Sequence, residues 1–563
     1  MGNSPVISML WKACLGFAVA ASLAAGRALA FPVSVTVDAA KTNGEFKPIW
    51  RFFGADEPNY AYMKDGRKLL GELGELRPGD VFFRTHNLLC SGDGTPALKW
   101  GSTNVYTEDE KGNPIYDWTV VDRIFDTYVK AGVHPYAQVG FMPEALSSHP
   151  QPYQHEWRPG LKYDLIETGW AYPPKDWVKW QELAYQWAKH CVVRYGMAEC
   201  EKWYWEVWNE ANGAYWKGTH AEFCRLHDLA VDSIRRAIPK ARVGGPDSAG
   251  SGGKFTEDFL QHCLHEKNYA TGEVGTPLDF ISFHAKGSPK FVDGHVRMGI
   301  SEQFKAMESA YRIFAKHPEL AGKPIIIGES DPDGCAACQG KALGYRNTTL
   351  YASYTAASFS REQELAEKHS ANLEGALTWA FEFEDQPFFA GQRVMANNGI
   401  DLPVLNVFRM YAKMGSQRLA TTSSNQTPLE EIVAKGVRGE PDVGAVATKG
   451  EDGAVAVMVW HYHEDDVPGP SADVTVELTG LTSAKVKVTR FAVDEAHSNA
   501  FAAWQRMGSP NPPNDKQYAE LVAAGKLEAA GEAVEMAAEG GKVKVSFPLS
   551  RQGVALVVAV PVK

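Results

Sequence analysis

Two glutamates stand directly after apolar runs: Glu210 follows Trp203 to Asn209, and Glu329 follows Ile325-Ile326-Ile327-Gly328. A carboxylate at the end of a buried run is costly to desolvate unless it faces a polar cavity. Cleaving a glycosidic bond needs a proton for the leaving oxygen and an electron-rich group on the opposite side of the sugar, and two carboxyl groups supply both. If they stand roughly 5 to 5.5 Å apart, one can attack the anomeric carbon directly and configuration is retained. Asn209, beside Glu210, is placed to bond the sugar 2-hydroxyl, or else to satisfy loop backbone as strand-end amides do. His86 and His284 end two further runs. A neutral imidazole offers one donor and one acceptor, which suits vicinal hydroxyls, although a lone strand histidine is more often a satisfied core residue. Asp56, Glu57, Trp379, Glu382 and Glu384 stand where sugar contact and a structural role weigh equally.

These residues need a scaffold that gathers strand ends. From about residue 45 to 415, short β-rich runs alternate with helical patterns, the signature of repeated βα units around a parallel sheet. Eight runs are counted: 50–55, 81–87, 134–141, 203–210, 241–247, 279–287, 324–331 and 374–384. Their expected closure is a (β/α)8 TIM barrel, an α/β fold whose strand C-termini converge on one mouth. Between the third and fourth runs, Trp177, Trp180, Ala184, Trp187 and Cys191 recur at helical spacing, so these tryptophans are read as core. Beyond residue 415 the rhythm changes to short alternating stretches, read as an appended β-sandwich over 416–563. The stretch Val33 to Asp38 alternates likewise, and residues 31–44 are expected to join that sandwich as an N-terminal strand, while Asn499 to Glu532 reads as an insertion between its strands.

The formal net charge is -11, so no nucleic-acid partner is expected, because a phosphate backbone needs a basic footprint. The 16 histidines form no His-Glu-x-x-His cluster, and Gly250-Ser251-Gly252-Gly253-Lys254 is followed by Phe255 rather than Ser or Thr. Neither a metal nor another cofactor is therefore expected, and a metal-dependent hydrolase or a phosphate-handling protein is disfavoured. Lys12, the apolar run Ala13 to Gly26 and Ala28-Leu29-Ala30 have the form of an export signal over residues 1–30, with a mature start at Phe31 and a periplasmic or secreted destination. No later segment is apolar enough to span a bilayer. Seven of the eight cysteines would remain, an odd number, and Cys335-x-x-Cys338 fits a local bridge or ordinary loop cysteines better than a metal site.

The Asn209-Glu210 pair after the fourth run, with Gly328-Glu329-Ser330 after the seventh, resembles the clan of (β/α) barrel retaining glycosidases. Within it the chain is similar to glycoside hydrolase family 39, supported by Phe53 to Tyr60, Arg84-Thr85-His86-Asn87, Gly244-Gly245-Pro246 and Ile281-Ser282-Phe283-His284. The resemblance implies Glu210 as acid/base and Glu329 as nucleophile, with Asn209, His86 and His284 lining the subsite of the cleaved sugar. It also implies an exo-acting β-xylosidase or an α-L-iduronidase acting on a small oligosaccharide or aryl glycoside. Here the two branches differ: many family β-xylosidases carry His-x-Tyr after the sixth strand, whereas His284-Ala285-Lys286 is similar to the iduronidase branch, where a lysine meets the substrate carboxylate. Lys286 would bind a uronate in that reading, or pair with Glu382 or Glu384 and leave a neutral pentose site. The pentose reading is preferred. A non-catalytic sugar-binding protein would keep the aromatics but has no need of two opposed carboxylates.

Overall fold

The computed structural model describes residues 30–562. The expected export signal lies outside them, apart from Ala30. Eight parallel strands close into a barrel: Phe52–Ala55, Val81–Thr85, Val133–Val139, Tyr204–Val207, Arg242–Ser248, Phe280–Lys286, Ile325–Asp331 and Leu373–Thr378. Each pairs with its sequence neighbours, and the last closes on the first through Leu377 with Phe52 and Thr378 with Phe53. The barrel expected from the βα alternation is thus the one observed.

Several strands are shorter than the apolar runs suggested. The fourth stops at Val207 and the eighth at Thr378, so the polar residues after them belong to loops rather than to the sheet. Inside the barrel, Phe52, Phe82, Tyr136, Tyr204, Phe280, Ile326, Leu377 and Trp379 form a closed apolar cluster. Space for it comes partly from Gly375, where an added Cβ would lie 2.5 Å from the Phe52 ring. Large side chains from several strands therefore fill the barrel as a packed core.

Outside it, the helix Trp177–Tyr195 buries Trp180, Ala184, Trp187 and Cys191 as the spacing requires, with Trp177 half-buried at its start. Its first turn is capped by Asp176, whose carboxylate accepts from the Val178 and Lys179 N–H groups. The helix Thr349–Lys368 is buried on nearly every side, because it lies between the barrel and the C-terminal sheet.

That sheet has ten strands, nine in one continuous hydrogen-bonded path and the short strand Val534–Ala537 off it, paired with Lys485–Val493. Alternate residues, including Val35, Val457, Val476 and Val557, close on a shared apolar core, which gives the sandwich. The opposite face of the strand Val455–Tyr462 presents Met458 and Trp460 to the barrel core. The strand Phe31–Glu45 runs antiparallel to Gln417–Ser423 and parallel to Ala472–Thr479, so it sits inside the sheet. Between the strands Lys485–Val493 and Val543–Leu549, the helices Ala500–Arg506 and Asp515–Ala524 reach back to the barrel: Phe501 and Trp504 pack on Phe389, and Lys526 pairs with Glu72 and Asp401. Cys335 and Cys338 form a disulfide, and the other five described cysteines are buried thiols. Among the described residues no helix is long and apolar enough to cross a membrane.

Candidate active site

The barrel interior changes character above the apolar cluster. Arg84 on the second strand, wholly buried, donates from Nε to Glu206 at 2.7 Å and from Nη2 to Asn209 Oδ1 at 3.0 Å, and it pairs closely with Asp247. A buried guanidinium is tolerable only when its donors are taken up this way. Tyr136 Oη also donates to Glu206 at 2.9 Å. Burial, and then the Asp247 charge, push the Glu206 carboxyl up to about 7. For Asp247 burial also acts upward, but Arg84 and His284 outweigh it and hold the carboxyl at about 2.

This polar layer carries the residues at the mouth. His284 links the two glutamates: Nδ1 lies 2.7 Å from Glu210 and 3.8 Å from Glu329, while Nε2 bonds Asp247 at 2.8 Å. Burial alone would lower the His284 pKa, but the Asp247 and Glu329 charges raise it to about 10, so the ring is an imidazolium at neutral pH. Side-chain atoms of Glu210, His284 and Glu329 all lie within 4.8 Å of one another. Such spacing can hold a cation, yet an imidazolium bonded to carboxylates through both nitrogens has no lone pair to give a metal. The arrangement instead keeps two carboxyl groups facing across one gap with a positive charge between them.

Glu329 is the more deeply held of the pair. Burial would raise its pKa, but His284, Lys286 and His86 overcome that and hold the carboxyl at about 2. Lys286 Nζ lies 2.6 Å from Glu329 and 2.9 Å from Asp331, and the Asp331 carboxylate also accepts from the Trp379 N–H at 3.0 Å. His86 Nε2 stands 3.7 Å from Glu329, and Nδ1 stands 3.1 Å from Asp56. Asn209 Nδ2 is buried and has no hydrogen-bond partner among the described residues, so this amide, whose Oδ1 is held by Arg84, keeps an unused donor.

Glu210, Glu329, Asn209, His86, His284 and Lys286 therefore come together. Trp379 joins them at the floor, its ring 4.5 Å from that of His86 and its Nε1 donating to Asp56 at 3.1 Å. Two expectations need correction. Lys286 pairs with Glu329 and Asp331 rather than with Glu382 or Glu384. Glu382 is displaced from the site because the eighth strand ends four residues before it. Its carboxyl lies near Gly66 and has no hydrogen-bond partner among the described residues. Burial, then Glu384 and Asp65, raise it to about 9, so it is uncharged at neutral pH and cannot serve as an ion-pair partner. Glu384 accepts from the Asp65 N–H in the first turn of the helix Lys64–Leu76.

With this geometry in hand, comparison with known proteins is decisive: the family model described as glycosyl hydrolases family 39 matches residues 33–542. The chain belongs to that family. The protein is a glycoside hydrolase. It is 26% identical over 533 residues to a β-xylosidase of Geobacillus stearothermophilus, covering 91% of this chain and 93% of that one. It is 28% identical over 378 residues to the α-L-iduronidase of Homo sapiens, covering 62% of this chain and 55% of the relative. In fold it resembles a monomeric β-xylosidase from Caulobacter crescentus CB15, with a TM-score of 0.73 at 20% identity, covering 94% and 100% of the two chains.

Residues that sequence reasoning missed in this family 39 hydrolase are those that hold the site together: Arg84, Glu206, Asp247, Asp331 and Lys99. Their signal was charge within apolar runs, as in Arg84 after Phe82-Phe83 and Glu206 between Trp205 and Val207. A charge inside a run that must be buried implies a partner across the barrel. The loop after Asp331 is fastened by two more such charges, since Arg346 and Arg393 both bond the Asp333 carboxylate.

Proposed function

We propose that the protein is a retaining, exo-acting β-xylosidase exported to the periplasm or the medium, releasing xylose from short xylo-oligosaccharides by double displacement. The observation that carries this reading is the placement of Glu210 and Glu329, with side-chain oxygens within 4.8 Å across a shared gap. In the first step the Glu329 carboxylate attacks the anomeric carbon while the bond to the leaving oxygen breaks, and the Glu210 proton passes to that oxygen. The products are a glycosyl ester on Glu329 and the free aglycone. In the second step a water attacks the anomeric carbon, Glu210 takes its proton, and the ester bond to Glu329 breaks. Ionisation suits Glu329 to the attack, and its partial exclusion from water keeps it from being solvated away from the substrate.

The preference for a neutral pentose rests on Lys286, whose charge is already balanced by Glu329 and Asp331, and on the β-xylosidase relative that spans nearly the whole chain. A uronate reading has one observation in its favour, the closeness of a second cation, Arg393, whose Nη2 lies 3.6 Å from Asp331. Arg393 is bound to Asp333 and to the Trp379 carbonyl, so its donors are engaged too. For the destination, the N-terminal pattern of a basic residue, a short apolar run and Ala28-Leu29-Ala30 is the support.

The test is a panel of aryl glycosides covering β-xyloside, α-L-arabinoside, β-glucoside and α-L-iduronide. Highest kcat/KM on the β-xyloside is expected, and an iduronide preference would overturn the substrate assignment. Glu329→Ala should lower turnover at least ~10⁴-fold on every substrate. Glu210→Ala should spare aryl glycosides with good leaving groups far more than xylobiose, because they need little protonation. Equal losses on both would refute the acid/base role.

A further inference from the structure

Beyond His86, on the side away from Glu329, lies a small cavity of about 20 Å³, room for one water-sized group such as a hydroxyl, whose wall includes Asp56, His86, Lys99, His155, Trp170 and Tyr215. Lys99 is the unusual member. It sits in the loop after the second barrel strand with φ 57, a left-handed backbone that a glycine would adopt without cost, and its side chain is only 4% exposed. The loop is held in that shape at both backbone groups: the Lys99 N–H donates to Glu57 at 2.6 Å, and the Lys99 carbonyl is bonded by His155 Nε2 at 2.8 Å. The ammonium is thereby presented to Asp56, with which it forms a close ion pair, and to the face of Tyr163 at 5.2 Å. Burying a lysine costs several kcal/mol even when it is paired, and here Glu57 already ties the loop without it.

We infer that the Asp56–Lys99 pair reads the hydroxyl at C4 of the terminal sugar and closes the pocket to any residue attached there. This rests on the proposed pyranoside-cleaving role of Glu329. In a pyranose, C4 lies across the ring from the anomeric carbon, so its hydroxyl is the last polar group met on moving away from the nucleophile. The protein offers polar groups in the same order: Glu329, then His86 at 3.7 Å, then Asp56 on the far edge of that imidazole, then Lys99. A carboxylate accepts the hydroxyl proton and an ammonium donates to its oxygen, so an ion pair matches an O–H as neither charge alone would. Both groups are held in their ionised forms. For Asp56, Lys99 and His86 outweigh burial and keep the carboxyl well below its usual range; for Lys99, Asp56 outweighs burial and keeps the ammonium protonated. Beside the pair, Tyr163 faces the Lys99 ammonium and Tyr215 lines the cavity, and their hydroxyls bond to each other at 2.9 Å.

The experiment compares an aryl β-xyloside with its 4-deoxy analogue. The unaltered enzyme should lose at least ~100-fold in kcat/KM on the analogue, because a site built around a hydroxyl leaves buried charges unanswered when it is missing. Lys99→Met should lose a similar factor on the parent xyloside but less than ~5-fold on the analogue, and Asp56→Asn, which keeps the side-chain shape, should follow the same pattern. Equal losses on both substrates, or no discrimination by the unaltered enzyme, would overturn the inference. If Lys99→Met does not fold, Asp56→Asn decides by the same criterion. Should the enzyme cleave another pyranoside instead of xylosides, the β-xylosidase reading alone fails, and the 4-deoxy form of that sugar decides the role of the pair.

Discussion

Lys286 governs how firmly Glu329 keeps its charge. The nucleophile works as a carboxylate, and its pKa of about 2 reflects His284, Lys286 and His86 together overcoming burial. Removing the ammonium 2.6 Å away leaves burial less opposed, so the pKa must rise. Lys286→Met should move the acidic limb of the kcat/KM profile up by about one pH unit or more, so activity at pH 3 falls further than at pH 7. An unmoved limb would mean that His284 and His86 suffice. The same depression is a stability contribution: it is present above the unfolded carboxyl's value near 4.5 and is lost as pH falls toward 2. Glu210 and Glu329 were legible in the sequence because each follows an apolar run, and runs reveal strand ends. Lys286 was legible as a charge at the mouth but not as a partner of the nucleophile. Pairing is decided by which strand lies alongside, and here the sixth and seventh strands set Lys286 opposite Asp331.

At the scale of elements, the mouth depends on backbone shapes that residue type does not disclose. Trp208, Glu210, Asp247 and Asn87 all adopt left-handed φ values at the ends of barrel strands. Each costs of order 1 to 3 kcal/mol, so the surrounding contacts must over-determine it. Where glycine does occur, the reason is proximity: a Cβ on Gly328 would collide with the Asp247 carboxylate, which also holds Arg84 and His284. Gly328→Ala should therefore lower kcat at least ~10-fold and stability by about 1 to 3 kcal/mol, checked by steady-state kinetics and thermal unfolding. Unchanged kinetics would show that Asp247 can shift without disturbing His284. The barrel was legible because eight runs alternate with helices. The length of the eighth strand was not: Trp379, Phe381 and Phe383 continue its alternation after Thr378, and that is why Glu382 was placed at the mouth.

For the whole molecule, the sandwich is tied to both chain termini. The strand Phe31–Glu45 lies between two partners and buries Val33, Val35 and Val37 in the sandwich core. A chain beginning at Phe46 would expose two strand edges and that apolar row at once. It should be insoluble or melt well below the chain beginning at Phe31, as a thermal-shift measurement would report; an equal melting temperature would show the strand to be dispensable. The alternation of residues 31–38 made this strand legible, but the later stretch to Glu45 shows no such alternation, since it shifts register against Gln417–Ser423 and runs exposed. The strand made first on the ribosome finds Ser423 and Ala472 only after the entire barrel has been synthesised. Contacts so remote along the polypeptide form slowly and late. This nascent strand must wait, unpaired, until the final quarter arrives, which gives chaperones a long interval in which to grip it.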